Sequence, residues 1–127
     1  MLRQELVIGG FTDPEGSREG IGALLMGYYD DAGHLIYAGK VGTGFTQASA
    51  RELRTTLGKH LQKDCPFFER PPAQLSHELH WVAPRLVGEV QFTEWTNDGT
   101  MRHPSFKGLR ADKKPKDVRR ETPKPAG

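Results

Sequence analysis

The sequence predicts a small all-β domain with five strands and one helix between the third and fourth strands. Glycine and proline account for 15 and 9 of the 127 residues, which is typical of a protein rich in turns. Short apolar segments separated by turn residues indicate strands, and only one segment shows helical spacing. Three strands, a helix and two further strands fit a small β-barrel, and a chain of this length can bury one core.

The first three strands are expected at residues 5–11, 20–29 and 35–41. Turn residues follow the first strand at 13–17, and residues 30–33 predict a hairpin between the second and third strands. The second strand carries apolar residues on both faces, so we expect it to be covered on each side for part of its length. One predicted face carries Leu24, Met26 and Tyr28, and the other carries Ala23, Leu25 and Tyr29.

A single helix is predicted to begin after Thr46, whose hydroxyl can cap the first turn. Ala50, Leu53 and Leu57 lie at helical spacing on one face, and Gly58 is the expected end of the helix. The residues expected on the outer face are Arg51, Arg54 and Lys59.

The second half of the chain is predicted to hold the last two strands. Residues 60–78 are rich in proline and lack regular spacing, so we expect a loop. Residues 86–95 alternate clearly and predict the fourth strand, and Asn-Asp-Gly at 97–99 predicts a hairpin. The fifth strand is expected to begin at residues 100–103, with Pro104 stopping it or placing it at an edge. In the fourth strand, the inward residues are Val90 and Phe92 and the outward residues are Glu89, Gln91 and Thr93.

Charge and composition divide the chain into a domain at 1–113 and a basic tail at 114–127. Residues 1–106 carry 10 Lys and Arg against 13 Asp and Glu, whereas residues 107–127 carry 8 against 3. The tail is nearly free of apolar residues, so we expect it to be disordered. A basic end favours an anionic partner, and the alternative is a tail that only improves solubility.

Composition argues against several classes of protein. Cys65 is the only cysteine, so no internal disulfide can form and a reducing compartment such as the cytoplasm is expected. No apolar run approaches transmembrane length, and there is no signal-peptide pattern, so no membrane partner is predicted. His77 and His80 are three residues apart without a third ligand in the pattern, and no metal site is predicted.

The most informative segment is R-H-P-S-F-K-G-L-R-A-D-K at residues 102–113. Arg110 offers a planar fork of donors and Lys113 a compact charge, which together can grip a polyphosphate. Asp112 between them can hold the arginine in place or assist with a metal on the phosphates. A solvated charged turn is the alternative that Arg-x-Asp-Lys alone leaves open.

Three motifs in order make the chain similar to the oligonucleotide-binding (OB) domain of ATP-dependent DNA ligases. Residues 102–113 resemble the last motif of that family, in the form R-x-P-x-F-x-G-L-R-x-D-K found in the multifunctional ligase (ligase D) of bacterial non-homologous end joining. Residues 40–45 (K-V-G-T-G-F) and 16–25 (G-S-R-E-G-I-G-A-L-L) are similar to two further segments of the domain. The resemblance runs from about residue 6 to about residue 113.

The resemblance implies a five-stranded OB-fold Greek-key barrel with its helix between strands 3 and 4. It also implies a nucleotidyltransferase domain, in cis or in trans, that binds ATP with Mg²⁺ or Mn²⁺ and carries the reactive lysine. In the family that lysine lies in a K-x-D-G motif, and no such motif occurs in this sequence. We therefore expect this domain to be inactive as a ligase when it is alone.

The resemblance also assigns roles within the last motif. Arg110 and Lys113 would contact the pyrophosphate that leaves ATP, Asp112 would orient them, and Arg102 would support the site. The family often has glutamate where Ala111 stands, while the arginine, aspartate and lysine are retained. The residues expected to be structural are Pro104, Phe106 and Gly108.

The resemblance further implies that duplex DNA with nicks or ends is the partner, and the candidate contacts are Arg18, Lys40 and Thr43. A Gly-Thr-Gly turn lets backbone amides and a hydroxyl approach a phosphate closely, and a plain tight turn is the alternative. Trp81 and Trp95 can stack on bases, and the alternative for both is a place in the core or at its rim.

The chain is thus expected to be a ligase module of DNA repair and recombination in the bacterial cytoplasm, associated with the nucleoid. The alternative is a free-standing, non-enzymatic OB module that binds nucleic acid. Arg110-x-Asp112-Lys113 argues against that alternative, because a simple binder needs no pyrophosphate clamp. The OB domain of an mRNA capping enzyme is a third interpretation, and residues 40–45 favour a ligase over it.

Overall fold

The computed structural model describes residues 1–16, 19–72 and 78–121. Within them, a seven-stranded antiparallel sheet, a two-stranded hairpin and a single α-helix form the fold. The strands are β1 Leu2–Thr12, β2 Ala23–Tyr29, β3 Leu35–Val41, β4 Leu61–Gln62, β5 Leu79–Val82, β6 Val87–Phe92, β7 Glu94–Trp95, β8 Met101–Arg102 and β9 Ser105–Leu109, and helix α1 spans Gln47–Leu57. Over this part of the chain, no helix has the length and apolar character needed to cross a membrane.

β1 organises the sheet, because its 11 residues pair with three other strands. Its first half pairs with β6, its second half with β2, and its last residues also pair with β5. β2 then pairs with β3, and β6 pairs with β9. The path β3-β2-β1-β6-β9 supplies five principal strands, and α1 follows the third of them in sequence, as predicted.

The barrel closes where the turn after β3 meets β9. The N–H of Phe106 donates to the carbonyl oxygen of Thr43 at 3.0 Å. The rings of Phe45 and Phe106 lie 5.3 Å apart between centroids. Gly44 has a φ of +95°, and a Cβ there would overlap the backbone of Phe106, so only glycine fits. The closure therefore holds residues 42–45 against the segment at 102–113.

Helix α1 is capped as the sequence predicts. The Thr46 hydroxyl accepts from the N–H of Ser49 at 3.0 Å, and the Ser49 hydroxyl accepts from the N–H of Thr46 at 2.9 Å. Gly58 follows the last helical residue, but its φ of −61° is right-handed. The chain therefore tightens into a 3₁₀ turn, Gly58–His60, instead of stopping in the left-handed conformation. The buried residues of the helix are Ala50, Leu53 and Leu57, as predicted.

The predicted loop at residues 60–78 contains packed structure that its sequence pattern does not indicate. β4 lies inside it and pairs with β5, which then pairs with the end of β1, so the prediction of a loop was wrong there. Phe67 is buried, and its ring fills space over Gly9 and Gly27, where a side chain would collide with it. These contacts are made with distant strands, so local spacing does not reveal them. Residues 73–77 lie outside the described part of the chain.

The last strands follow the prediction with one correction. β6 carries Val90 and Phe92 into the core, and the Asn-Asp-Gly turn joins β7 to β8 as predicted. Pro104 follows the end of β8, but the chain then resumes as β9 and pairs with β6. The chain resumes as a strand after Pro104 because Phe106 is buried in the barrel core. Residues 105–109 of the last motif thus form a strand, not a turn.

Both faces of β2 are buried, as its apolar pattern predicts. One face contributes to the core inside the barrel, and the other contributes to a second core outside it. The barrel core includes Leu6, Leu24, Met26, Leu53, Val90, Phe92 and Phe106, and the second core includes Val7, Leu25, Tyr29, Phe67, Trp81 and Val118.

Residues 114–121, which the sequence assigns to the basic tail, pack on the barrel. Val118 is only 1% exposed and belongs to the second core. Its carbonyl oxygen accepts from the N–H of Tyr29 at 2.8 Å, so the segment binds the last residue of β2. One valine is enough to anchor the segment, because it packs on the apolar surface of the second core. The composition of the tail alone does not predict this contact.

Gln4 fastens the same segment to β1. Its Nε2 donates to the carbonyl oxygen of Arg119 at 2.9 Å, and its Oε1 accepts from the N–H of Glu121 at 2.9 Å. Gln4 is itself buried, so both hydrogen bonds satisfy groups that would otherwise be costly. Residues 122–127 lie outside the described part of the chain.

Candidate functional site

Arg110 directly follows β9, and the end of that strand determines its direction. A register shift beside Glu89 leaves Lys107 as the extra residue of a β-bulge. Gly108 has a φ of +140°, a conformation that other residues rarely adopt, which agrees with the predicted bend. The N–H of Arg110 donates to the carbonyl oxygen of Val87 at 2.7 Å, so its backbone is tied to β6.

Two carboxylates hold the Arg110 guanidinium. Nε and Nη2 donate to the two oxygens of Asp112 at 3.2 and 3.1 Å, and Nη1 donates to Glu89 Oε1 at 3.1 Å. The hydrogen bonds from Arg110 lower the pKa of Asp112, and those to Asp112 raise the pKa of Arg110. Within the described residues, three of its five N–H groups are used. Two N–H groups therefore remain for an anion.

Glu89 links Arg110 to a second arginine. Its Oε2 accepts from Arg3 Nη1 at 3.0 Å, while Oε1 accepts from Arg110. Arg3 Nε also donates to Gln91 Oε1 at 3.2 Å. We call Arg3, Glu89, Arg110 and Asp112 the arginine–carboxylate row. Glu89 lies 86 residues from Arg3 and 21 from Arg110 in sequence, so sequence spacing carries no signal for the row beyond Arg110 and Asp112.

The structure brings Lys113 to the row but places Arg102 elsewhere. Lys113 is half-buried, and its charge adds to the dominant effect of Arg110 in lowering the pKa of Asp112. Arg102 lies on β8, where its Nε forms an ion pair with Glu94 at 3.0 Å. Among the described residues, Arg102 pairs with this hairpin neighbour. Its role in supporting the pyrophosphate site remains a prediction.

The Gly-Thr-Gly turn presents two of the predicted DNA contacts on one surface. Lys40 and Thr43 are both exposed, and the Thr43 hydroxyl donates to the carbonyl oxygen of Pro104 at 3.1 Å. Both residues line an open cleft of about 780 Å³ beside the start of α1. Arg18, the third predicted contact, lies outside the described residues. The charged residues lining the cleft are Asp13, Glu15, Glu19, Lys40 and Arg51.

Comparison with protein families matches residues 17–113 to the ATP dependent DNA ligase C terminal region. The chain belongs to this family. The matched stretch includes Glu89, Arg110 and Asp112, and it ends at Lys113. The geometry above therefore describes the last motif of a ligase C-terminal region.

Curated proteins similar to this ligase C-terminal region are much longer than it is. It is 44% identical over 124 residues to the multifunctional non-homologous end joining protein LigD of Pseudomonas aeruginosa, covering 96% of this chain and 15% of that protein. It is 43% identical over 119 residues to the multifunctional non-homologous end joining DNA repair protein LigD of Mycobacterium tuberculosis, covering 93% of this chain and 16% of that protein. The chain thus spans about a sixth of the curated relatives it matches.

Two solved structures share the fold of this ligase C-terminal region. The ligase domain of M. tuberculosis LigD matches with a TM-score of 0.87 at 42% identity, over 94% of this chain and 39% of that one. A mycobacterial DNA ligase D complexed with ATP and MES matches with a TM-score of 0.84 at 40% identity, over 94% and 38%. These matches confirm the predicted OB-fold class, mostly β with one helix.

The ligase C-terminal region contains a second charged cluster, which the sequence does not predict. Asp13 Oδ1 accepts from Arg54 Nη1 at 2.7 Å and lies 3.0 Å from His80 Nε2. A carboxylate oxygen of Glu78 lies within 4.8 Å of the ligand atoms of Asp13 and His80. The guanidinium bound to Asp13 opposes a cation there, so we interpret the cluster as an ion-pair site that joins α1 to β1. Arg54 was expected on the outer face of the helix, and its side chain is 41% exposed while it also contacts Asp13.

Both tryptophans of the ligase C-terminal region pack against the protein. Trp81 is 8% exposed, and its ring lies 6.1 Å from that of Phe67 in the second core. Trp95 is half-buried, with the Phe92 ring at 5.0 Å and the Arg120 guanidinium 4.6 Å from its centroid. These contacts favour a place in the core or at its rim over base stacking.

Proposed function

We propose that this ligase C-terminal region orients the pyrophosphate leaving group of ATP while a nucleotidyltransferase domain transfers AMP to its own lysine. The observation that carries the proposal is the geometry of Arg110. Asp112 and Glu89 hold its guanidinium, and among the described residues two of its N–H groups have no acceptor and can bind an anion. Lys113 lies beside them as a second cation. Charges held in place before a reaction stabilise a transition state without reorganisation.

The donor set of the row fits phosphate oxygens better than a metal ion. Asp112 is already committed to Arg110 by two hydrogen bonds, so its carboxylate is poorly available as a metal ligand. ATP with Mg²⁺ or Mn²⁺ would be bound mainly by the nucleotidyltransferase domain and would supply the AMP group. As the lysine nitrogen bonds to the α-phosphorus and the bridging P–O bond breaks, Arg110 and Lys113 would stabilise the charge on the departing pyrophosphate.

The surface around Lys40 and Thr43 is proposed to contact duplex DNA at a nick or an end, with Arg18 contributing. Lys40 supplies charge, and the Thr43 oxygen can still accept a hydrogen bond while its hydrogen donates to Pro104. Asp13 and Glu19 line the cleft and would repel a phosphate from its interior. The contact is therefore placed at the exposed turn, where phosphate binding would be independent of base sequence and sensitive to salt.

The cellular role proposed from these sites is strand sealing in DNA repair by non-homologous end joining. The names of the LigD relatives support it, and so does the retained Arg110-x-Asp112-Lys113 pattern. The nucleotidyltransferase partner would act in cis or in trans, in the bacterial cytoplasm at the nucleoid. A K-x-D-G motif is absent from this sequence, so sealing requires that partner.

Lysine adenylylation tests the proposal directly. This chain is fused to a matched nucleotidyltransferase domain that carries the K-x-D-G lysine, and lysine-AMP formation is timed for wild type and Arg110→Ala. We expect the substitution to slow the reaction by about 100-fold, because it removes a charged donor from the leaving group. Arg85→Ala, at an exposed arginine outside the motif, is the control and should match wild type.

A different result would favour the other function. If the fused chain does not raise the rate above that of the nucleotidyltransferase domain alone, the pyrophosphate role is wrong. The chain is then better described as a nucleic-acid-binding OB module, and its last motif as scaffold.

A further inference from the structure

We propose that Glu89, on β6, is a positioning residue that aims Arg110 at the pyrophosphate. The inference rests on the proposed function of Arg110 and adds a residue that lies outside the last motif. Glu89 Oε1 accepts from Arg110 Nη1 at 3.1 Å. Asp112 binds a different edge of the guanidinium, the edge that carries Nε. Among the described residues, Glu89 thus gives the guanidinium of Arg110 its hydrogen bond to the sheet, beside the backbone bond to Val87.

The two carboxylates that hold Arg110 have different supports. Glu89 lies in a central strand that pairs with β1 on one side and with β9 on the other. Asp112 lies in the turn after β9, and its side chain is 72% exposed, against 22% for Glu89. A carboxylate on a doubly paired strand has little freedom to follow the arginine. Glu89 therefore sets the direction of the guanidinium, and the exposed Asp112 can yield to an incoming anion.

Arg3 makes this arrangement compatible with phosphate binding. A carboxylate beside Arg110 would repel an anion if its charge were not offset. Arg3 Nη1 lies 3.0 Å from Glu89 Oε2 and supplies that offset from the far side of Glu89. Glu5 pairs directly opposite Glu89 in the sheet and adds a third carboxylate to Glu89 and Asp112. Three cations balance these three negative charges, namely Arg3, Arg110 and Lys113.

Gly108 supplies the backbone conformation that lets Arg110 reach Glu89. Glu89 pairs with Gly108 in the β6–β9 ladder. A Cβ built on Gly108 meets nothing within 4 Å, so glycine is needed for its φ of +140° and not for space. The bulge at Lys107 then turns the chain so that Arg110 reaches back to Glu89.

Single-turnover lysine adenylylation in the same fusion, timed over a range of ATP concentrations, tests the inference. Glu89→Gln keeps the shape of the side chain and removes its charge. We expect the maximal rate constant to fall about ten-fold and the half-saturating ATP concentration to stay within about two-fold, because a donor that points in the wrong direction is lost mainly in the transition state. In the Arg110→Ala background, Glu89→Gln should have no further effect, since Glu89 acts through Arg110.

Two controls separate positioning from a structural defect. Sealing of a nick that already carries a 5′-AMP needs no pyrophosphate, so Glu89→Gln should leave its rate unchanged. Glu52→Gln, at an exposed position of α1, should match wild type in both assays.

Each contrary outcome has its own meaning. If Arg110→Ala slows lysine adenylylation but Glu89→Gln leaves its rate unchanged, the inference is overturned and the proposed function stays intact. An equal loss in adenylylation and in sealing, or an additive loss in the double variant, also overturns it. An Arg110→Ala with the wild-type rate overturns the proposed function itself.

Discussion

At the scale of single residues, carboxylates that lie far away in sequence bind Arg54 and Arg110. Arg110 and Arg54 both follow apolar positions, and both bind an acidic residue that lies far away in sequence. The Arg110–Asp112 pair could be predicted, because the two residues are two apart and the motif suggests it. The contacts with Glu89 and Asp13 could not, since strand pairing and helix packing bring those carboxylates into place.

The Asp13 cluster makes stability depend on pH. Arg54, and then His80, lower the pKa of Asp13 in the folded protein below its ordinary value of 3.8. The contribution of the carboxylate is therefore complete above that value and is lost as the pH falls through the lower, folded-state pKa. Asp13→Asn is expected to reduce the free energy of unfolding by about 1 kcal/mol at pH 7, and by less at about pH 3.

Urea unfolding of wild type and Asp13→Asn at both pH values checks this expectation. Asp64→Asn, at an exposed position outside the cluster, is the matched control and should change little at either pH. A difference between wild type and Asp13→Asn that is the same at both pH values would show that the charge of Asp13 contributes nothing.

At the scale of elements, barrel closure joins two motifs that lie far apart in sequence. The Thr43 hydroxyl and the Pro104 carbonyl are 61 positions apart, and the contact between them seats the Gly-Thr-Gly turn on the start of β9. The sequence predicts each motif separately, because turn residues and apolar positions are local signals. Their contact follows from the curl of the sheet, which no local pattern encodes.

Gly44→Ala tests how much this junction contributes to stability. The substitution places a side chain at a φ of +95° and against the Phe106 backbone. We expect a loss of about 2–4 kcal/mol in the free energy of unfolding from strain and overlap. Gly58→Ala, at a φ of −61° with open space around it, is the control and should be neutral or slightly stabilising. Chemical denaturation of both variants gives the comparison, and equal effects would remove the special role of Gly44.

At the scale of the whole molecule, β1 separates the two surfaces to which we assign proposed functions. Arg3, near its start, belongs to the arginine–carboxylate row, and Asp13, just after its end, lines the cleft that Lys40 also lines. An extended strand of this length spans at most about 35 Å. In the proposed function, one surface contacts ATP phosphates and the other contacts DNA, and their separation suits a domain that serves two successive steps.

Lys40→Ala is expected to weaken DNA binding in a salt-dependent way. The slope of the logarithm of the binding constant against the logarithm of salt concentration should fall by about 0.9, the value for one lost phosphate contact. Titration of the fusion with nicked duplex DNA at several salt concentrations measures the slope. Lys63→Ala, at an exposed lysine outside the cleft lining, should keep it. An unchanged slope for Lys40→Ala would place the DNA contact elsewhere.

The sequence by itself determined the features that depend on near neighbours. The early strands, the helix capped by Thr46 and the motif around Arg110 follow from periodicity, capping and residue spacing within a few positions. Only the tertiary structure decided that Glu89 holds Arg110 and that Val118 is buried against the barrel. Strand register and a preformed apolar surface create those contacts, and both arise only when distant parts of the chain pack together.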